Sequence, residues 1–263
     1  MRKRTIFMAD EHCSHRAGLT PPAWQPQERR AKTLKYVKVQ RECWRWYTSR
    51  MKDLQPIYGV INVGDAIDGK GRLSGGTELI TTDRDEQCDM AEECIKVCQA
   101  KKHLIINGTG YHTGTDEDWE DILASRFGGK AHDHEWLKLG DKVFDIKHFV
   151  SSSITPHGRH TSLRREDVWN ALWADANEAP RADFIIRAHV HYSVGNFEHR
   201  GGQIKWAMTL PALQAMGSKF GARRCAGTVN FGFMVVDVDD KGRVTWWMES
   251  PRIKAQVTRA DPW

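Results

Sequence analysis

The sequence predicts an α/β protein in which short buried strands alternate with helices before a strand-rich final third. Short apolar runs recur along the chain, each ending at Gly, Asn, Asp or His. Longer stretches with apolar residues at helical spacing separate the early runs. Several strand-like runs then follow one another near the end, which indicates that the sheets have a late antiparallel portion.

The early strands are predicted from apolar runs bounded by turn-forming residues. We expect them at Thr5–Ala9, Ile57–Val63, His103–Ile106 and Asp183–Ala188. A hairpin is predicted where Gly140-Asp141 separates two further runs, Glu135–Leu139 and Lys142–His148.

Helices are predicted in the stretches between these strands. In Gln27–Leu54, apolar residues recur at near-helical spacing opposite many Arg and Lys residues. Further helices are expected at Asp83–Lys102, Asp116–Phe127 and Arg164–Asn177. A proline-rich loop precedes the first helix, so residues 21–54 are predicted to form a helical insertion. Because no repeat or low-complexity linker divides the chain, we expect one domain spanning residues 1–263.

The last third contains three more strand-like runs, Ile204–Thr209, Val229–Val238 and Arg243–Glu249. The last two are joined by the turn sequence Asp-Asp-Lys-Gly.

Composition narrows the classes of function. The net charge of +5 suits an anionic substrate. No helix-turn-helix, zinc finger or concentrated basic stretch indicates a dedicated DNA-binding module. The N-terminal apolar run Ile6–Ala9 is too short for a signal peptide or a membrane span. Six cysteines without CxxC spacing do not suggest a disulfide framework. We therefore expect a cytoplasmic protein that does not cross a membrane.

Asp and His residues follow the predicted strands, at the edge where the carboxyl ends of parallel strands converge. In Asp10-x-His12 and His189-x-His191, residues two apart on an extended chain would point to the same side. Each pair could therefore hold one ion. Carboxylate and imidazole ligands suit Mn, Fe, Zn or Ni better than Ca. A carboxylate such as Asp65 could bridge two ions about 3.5–4 Å apart.

With these motifs in this order, residues 5 to 195 resemble the calcineurin-like metallophosphoesterase superfamily. The motifs are Asp10-Glu11-His12, Gly64-Asp65-Ala66-Ile67-Asp68, Gly108-Thr109-Gly110-Tyr111-His112, His148 and His189-Val190-His191. The resemblance implies a sandwich of two β-sheets flanked by helices. It also implies two divalent metal ions, with Mn²⁺ favoured and Fe, Zn or Ni as alternatives.

The resemblance assigns a role to each matching residue. Asp65 would bridge the ions, and a hydroxide shared by them would attack phosphorus. His112 would protonate the leaving oxygen or stabilise the transition state, and Asp68 would orient a ligand or the loop. The remaining ligands are Asp10, His12 and His191 for the first ion, and His148 and His189 for the second.

One motif departs from the family pattern. The family loop usually reads Gly-Asn-His, with the Asn binding the second metal, whereas Thr109 occupies that position here. Asn107 or His112 could substitute for the missing amide. The Gly-Thr-x-x-His form of this loop resembles phage and prophage members of the superfamily.

The predicted function is hydrolysis of a phosphodiester in a nucleic acid or nucleotide, which makes the protein a nuclease candidate. Two alternatives stay open. One is a broad-specificity phosphomonoesterase or phosphoprotein phosphatase, and the other is a metal-binding scaffold that has lost turnover. No pattern in the sequence indicates an oligomeric state.

Overall fold

Two β-sheets stack face to face, and helices cover the outer face of each sheet. The structure is a computed structural model that describes residues 2–27, 35–72, 74–113, 118–153, 155–216 and 229–256. It confirms the predicted fold class, an α/β two-sheet sandwich flanked by helices. Each sheet buries one apolar face against the other sheet and the opposite face against helices.

The elements are numbered in chain order. The strands are β1 (Lys3–Met8), β2 (Gly59–Asn62), β3 (Lys102–Ile106), β4 (Ala131–His132), β5 (Glu135–Leu139), β6 (Lys142–Ile146), β7 (Phe184–Arg187), β8 (Gly195–Arg200), β9 (Gln203–Thr209), β10 (Phe233–Val238) and β11 (Val244–Glu249). The helices are α1 (Lys35–Asp53), α2 (Arg84–Lys96), α3 (Gly110–Thr113), α4 (Trp119–Ser125) and α5 (Gly158–Asp175).

Both sheets combine parallel and antiparallel pairing. The first sheet has the order β11-β10-β1-β2-β3-β4, in which β1 to β4 are parallel to one another, β10 is antiparallel to β1, and β11 is antiparallel to β10. The second has the order β5-β6-β7-β9-β8, in which β6, β7 and β9 run parallel. The predicted hairpin is present as β5–β6, and the predicted late antiparallel portion as β8–β9 and β10–β11.

Apolar side chains fill three layers. Between the sheets, the rings of Phe7, Phe144 and Phe184 stack in series, with centroids 5.6 Å and 4.5 Å apart. Helices α1, α2 and α4 pack on the outer face of the first sheet, and α5 packs on the second. In α1, Tyr47 is fully buried and Trp44 and Trp46 pack against the core, so the aromatic residues of this basic helix face inward.

Several element boundaries differ from the sequence prediction. Helix α2 ends at Lys96 instead of Lys102, because a turn and strand β3 occupy the following residues. Helix α5 begins at Gly158, earlier than the predicted Arg164. Its first turn is held by a tertiary hydrogen bond from His160 Nδ1 to Asn196 Oδ1, 2.6 Å long. Parts of two predicted helices, residues 28–34 and 116–117, lie outside the described residues.

None of the helices in the described part of the chain combines the length and apolar character needed to cross a bilayer. The region predicted as a helical insertion contains a short 3₁₀ helix, Pro22–Trp24, and helix α1.

Candidate metal centre

The predicted ligands lie together at one edge of the sandwich, just beyond the carboxyl ends of four strands. Asp10 and His12 follow β1, and Asp65 follows β2 in the first sheet. In the second sheet, His148 follows β6, and His189 and His191 follow β7. Helix α3, after β3, contributes His112. Because parallel neighbours end at the same edge, six of these side chains come from strand ends that are distant in sequence but adjacent in space.

The backbone at this edge is not extended. The pairs Asp10/His12 and His189/His191 were expected to point to the same side because residues two apart on an extended chain do so, and that reason was wrong. Five of the predicted ligands adopt left-handed conformations: the φ angles are 53° at Asp10, 43° at His12, 53° at Asp65, 72° at His189 and 57° at His191. Asp and His visit this region more readily than other residues with a side chain. Each such residue still costs about 1–3 kcal/mol and persists only where its surroundings hold it, and such strain concentrates at functional sites.

The side chains form three groups that could each bind a metal ion, with ligand atoms in each group within 4.8 Å of one another. Asp65 and His12 each belong to two groups, so the sets adjoin. The buried members form the floor of the site, and His112, His189 and His191 lie on its solvent side. The groups are Asp10, His12 and His191; His12, Asp65 and His112; and Asp65, His148 and His189.

Hydrogen bonds behind the histidines fix which ring nitrogen faces the centre. His148 donates from Nδ1 to the Val63 carbonyl oxygen at 2.6 Å, which leaves Nε2 3.0 Å from Asp65 Oδ2. His112 donates from Nδ1 to the Asp68 carbonyl oxygen at 3.1 Å. The Asp68 carboxylate lies 2.9 Å from Nδ1 of His12. These outer partners are the kind that fix tautomer and ring orientation in metal sites.

The loop that carries Thr109 closes tightly over Asp65. The backbone N–H of Thr109 donates to Asp65 Oδ1 at 2.7 Å, and the Thr109 hydroxyl lies 3.1 Å from the same oxygen. A Cβ atom on Gly108 would lie only 2.2 Å from that oxygen, so this approach requires glycine. Asn107 instead donates to Asp133 Oδ1 at 2.8 Å. Thr109 therefore contacts a ligand, whereas Asn107 is turned towards a different partner.

The electrostatics favour cations at this edge. Burial alone would raise the pKa of Asp65, but the neighbouring His148 outweighs it and holds that pKa well below its ordinary value. Burial alone would lower the pKa of His148, but Asp65 raises it to about 10. A second buried carboxylate, Asp10, has one oxygen without a hydrogen-bond partner.

The arrangement of donors fits a bound metal. His12 Nε2 and His191 Nε2 lie 3.1 Å apart, and at most one of two neutral imidazole nitrogens can donate to the other. Two buried carboxylates and several inward-facing imidazole nitrogens provide the mixed oxygen and nitrogen ligands of transition-metal sites. The His and Asp residues present could therefore bind metal ions.

Sequence reasoning missed two buried carboxyl groups beside the site. Glu11 lies between two predicted ligands and accepts from Asn62 Nδ2 at 2.7 Å. Glu120, in the first turn of α4, is buried with both carboxyl oxygens unpartnered. Burial raises the pKa of each to about 8, so both hold a proton at neutral pH. No local sequence signal distinguishes Glu120 from an ordinary solvated acid in a first helical turn.

Two exposed aromatic rings at the rim were also missed. The Phe149 ring lies 5.0 Å from that of His189, and the Tyr111 ring lies 4.7 Å from that of His112. Phe149 directly follows the predicted ligand His148, and Tyr111 directly precedes the predicted catalytic residue His112, so their adjacency in sequence could have identified them.

Comparisons with known proteins find remote likenesses only. No family model matches the chain, and no curated protein matches it in sequence. Among solved structures, a protein of Thermotoga maritima is 15% identical with a TM-score of 0.42, over 95% of this chain and 99% of that one. Vps29 of Chaetomium thermophilum is 9% identical with a TM-score of 0.41, over 94% and 97%. Purple acid phosphatase PPD1 of yellow lupin is 11% identical with a TM-score of 0.43, over 98% and 53%. Likenesses this remote do not assign a function to this chain.

Proposed function

We propose that this protein is a two-metal phosphoesterase of the calcineurin-like metallophosphoesterase superfamily. The observation that supports this most is that the three donor groups adjoin: His12 belongs to the first and second groups, and Asp65 to the second and third. One ion would be held by Asp10, His12, His191 and Asp65, and a second by Asp65, His148 and His189. Mn²⁺ is the favoured metal, with Fe, Zn and Ni as alternatives.

Bound divalent ions would supply Lewis-acid activation of water and neutralise the charge of the phosphate ester. The chain's own residues would orient the reaction around them. Because Nδ1 of His112 donates to the Asp68 carbonyl, a proton for the leaving oxygen would be carried on Nε2, which lies 4.0 Å from Asp65 Oδ2. The Asp68 side chain would also fix the orientation of His12.

The substrate we propose is a phosphodiester in a nucleic acid or nucleotide. Two observations favour it over a simple monoester. Phe149 and Tyr111 are 48% and 40% exposed and stand beside His189 and His112, where a base could stack on them. The net charge of +5 also favours an anionic polymer. A cytoplasmic location follows as part of the same proposal.

Hydrolysis of two small esters tests the proposal. The protein would be stripped with EDTA, refilled with Mn²⁺ and assayed on bis(p-nitrophenyl) phosphate and p-nitrophenyl phosphate. We expect metal-dependent hydrolysis that prefers the diester and is lost in Asp65→Asn, because the amide cannot bridge two ions. Asp53→Asn, at an exposed ion pair on α1, is the matched control and should keep full activity.

The other outcomes are equally informative. A preference for the monoester would replace the proposed substrate with that of a phosphomonoesterase or phosphoprotein phosphatase. Metal binding by elemental analysis without hydrolysis of either ester would favour a scaffold that has lost turnover. Hydrolysis that survives in Asp65→Asn would overturn the proposed centre.

A further inference from the structure

The two sheets separate at the end of the sandwich opposite the metal centre and leave a cleft there. The amino-terminal halves of β1, β2 and β3 form one wall, and β5 and the β10–β11 turn form the other. The cleft has a volume of about 830 Å³. Sites for small organic ligands usually occupy about 300–1,000 Å³. The metal centre is built from the carboxyl ends of the same strands, so the two sites share no residue.

The interior of the cleft is apolar. Ile61 belongs to the core between the sheets, and Leu104, Leu137 and Leu139 pack against that core while staying partly exposed to the cleft. Gly59 lies in the wall between them, on the same face of β2 as Ile61. A Cβ atom at Gly59 would meet nothing closer than 3.6 Å. The cleft is therefore open at Gly59 because a side chain is absent there, and the backbone would accept one.

The mouth of the cleft carries lysines that lack carboxylate partners. Lys3 and Lys102 place their Nζ atoms 5.1 Å and 5.7 Å from the centre of the Tyr58 ring, one on each neighbouring strand. Across the described part of the chain, no carboxylate lies within ion-pair distance of these two ammonium groups.

The acidic residues of the cleft are occupied elsewhere. Glu135 pairs with His132 Nδ1 at 3.1 Å, and Asp239 accepts from Arg243 Nε at 2.7 Å within the β10–β11 turn. Asp240 in the same turn also has an interaction partner. The lysines are thus the groups at the mouth that are available to a ligand.

We propose that this cleft binds an amphiphilic anion, a medium-chain carboxylate in its simplest form. The apolar chain lies between the sheets against the leucines, where its burial drives binding. The carboxylate lies at the mouth between Lys3 and Lys102, where charge-assisted hydrogen bonds hold it. This site is independent of the metal centre and of the reaction proposed for it.

Isothermal titration with laurate, below its micelle concentration, tests the proposal on the full chain. Laurate should bind, whereas acetate lacks the chain and dodecylammonium has the wrong charge, so both should bind at least about tenfold more weakly. Binding should be the same in EDTA-treated and Mn²⁺-loaded protein, which separates this test from that of the metal centre.

Two pairs of variants locate the binding site. Gly59→Leu fills the cleft and should weaken laurate binding by about tenfold or more, because the side chain takes the space of the apolar chain. Gly195→Leu is its control: Gly195 is an exposed strand residue far from the cleft, and an added Cβ meets nothing closer than 3.8 Å. Lys102→Glu should weaken binding by about tenfold, whereas Lys52→Glu, with the same change of net charge on α1, should not.

Circular dichroism checks that each variant folds. If Gly59→Leu does not fold, the comparison of Lys102→Glu with Lys52→Glu tests the proposal. Wild-type affinity in Lys102→Glu would contradict the proposal, as would wild-type affinity in a folded Gly59→Leu. Equal binding of laurate and dodecylammonium, or no binding of laurate to the wild type, would also overturn it.

Discussion

Gly108 shows how a single missing side chain shapes the metal centre. It has ordinary backbone angles, yet a Cβ atom there would lie 2.2 Å from Asp65 Oδ1 and 2.4 Å from the Asp65 nitrogen. We predict that Gly108→Ala displaces Asp65 and lowers Mn²⁺ affinity by about 10- to 100-fold, as for other changes to the supports of metal ligands. Titration calorimetry with Mn²⁺ measures this directly.

Gly129→Ala is the matched control for that substitution. Gly129 follows α4. The atom nearest to a Cβ added there is the Ala124 carbonyl oxygen, 3.9 Å away. Its Mn²⁺ affinity should equal that of the wild type. An undiminished affinity in Gly108→Ala would mean that the loop can yield without moving the carboxylate.

Glu120 should make stability depend on pH. Burial raises its pKa to about 8 from an ordinary value of 4.5, so the folded protein keeps a proton that the unfolded chain releases. The stabilisation is complete below pH 4.5 and is lost progressively as pH rises to about 8. Glu120→Gln should not lose this stability at high pH, because the amide does not titrate. The shift corresponds to at most about 4–5 kcal/mol, and we expect relaxation of the buried site to leave about 1–3 kcal/mol.

Urea unfolding of EDTA-treated protein at pH 5 and pH 8 measures this effect. The Gln variant should have the larger free energy of unfolding at pH 8, and the difference should nearly vanish at pH 5. Glu178→Gln, at an exposed position after α5, should follow the wild type at both pH values. Parallel pH dependence of the wild type and Glu120→Gln would contradict the prediction.

For single residues, the sequence predicted which Asp and His side chains come together. It did not predict the backbone conformation that brings them together. The apolar run before each residue showed that a strand would deliver it to the sheet edge. The left-handed φ angles of Asp10 and His189 could not be predicted, because they are imposed by contacts between loops from different strands. The burial of Glu120 depends in the same way on where α4 packs.

Strand β7 owes its position to a buried ion pair at its last residue. Arg187 is fully buried and donates from Nη1 to Asp145 Oδ1 in β6 at 2.7 Å, and from Nε to Glu166 in α5 at 2.9 Å. The two strands lead directly to His148 and His189. This pair therefore connects the two strands that supply one of the donor sets with the helix behind them.

We predict that Arg187→Met destabilises the protein by about 3–5 kcal/mol, because Asp145 and Glu166 lose their buried cation. Burial alone would raise the pKa of Asp145, but His134 and Arg187 outweigh it and hold that pKa below its ordinary value. Urea unfolding at neutral pH gives the loss. Arg181→Met, which breaks an exposed pair with Asp175, should cost under about 1 kcal/mol. An equal loss of unfolding free energy in the two variants would show that the buried pair stabilises the protein no more than the exposed pair does.

Helices and strands could be predicted where the apolar pattern in the sequence was strong. The prediction failed where a strand exists only because it pairs with a neighbouring strand. The runs that became β1, β2 and β7 were placed within a few residues. Strand β8 has the polar sequence Gly-Asn-Phe-Glu-His-Arg and exists because it pairs along β9. The order of strands in the sheets likewise depends on contacts distant in sequence, which no local pattern encodes.

The molecule as a whole places its charged centre at one end of a continuous apolar sandwich. Core layers run from α1 through both sheets to α5. We propose that the full chain, with the insertion at 21–54, is one domain. Such a domain should unfold in a single transition by calorimetry and fluorescence, in the presence and absence of metal.

Metal should raise the temperature of that transition. An ion bound only by the folded state stabilises it by about 2.7 kcal/mol at a hundred times its dissociation constant. For a chain of this size, each kcal/mol corresponds to about 2–4 °C, so we expect Mn²⁺ to raise the Tm of EDTA-treated protein by about 5–10 °C. Mn²⁺ should raise the Tm of Asp65→Asn much less, because both donor sets that include Asp65 lose a ligand. It should raise the Tm of the exposed control Asp53→Asn as much as that of the wild type. An equal gain in Asp65→Asn would place the stabilising ion outside the proposed centre, whatever the outcome of the hydrolysis assay.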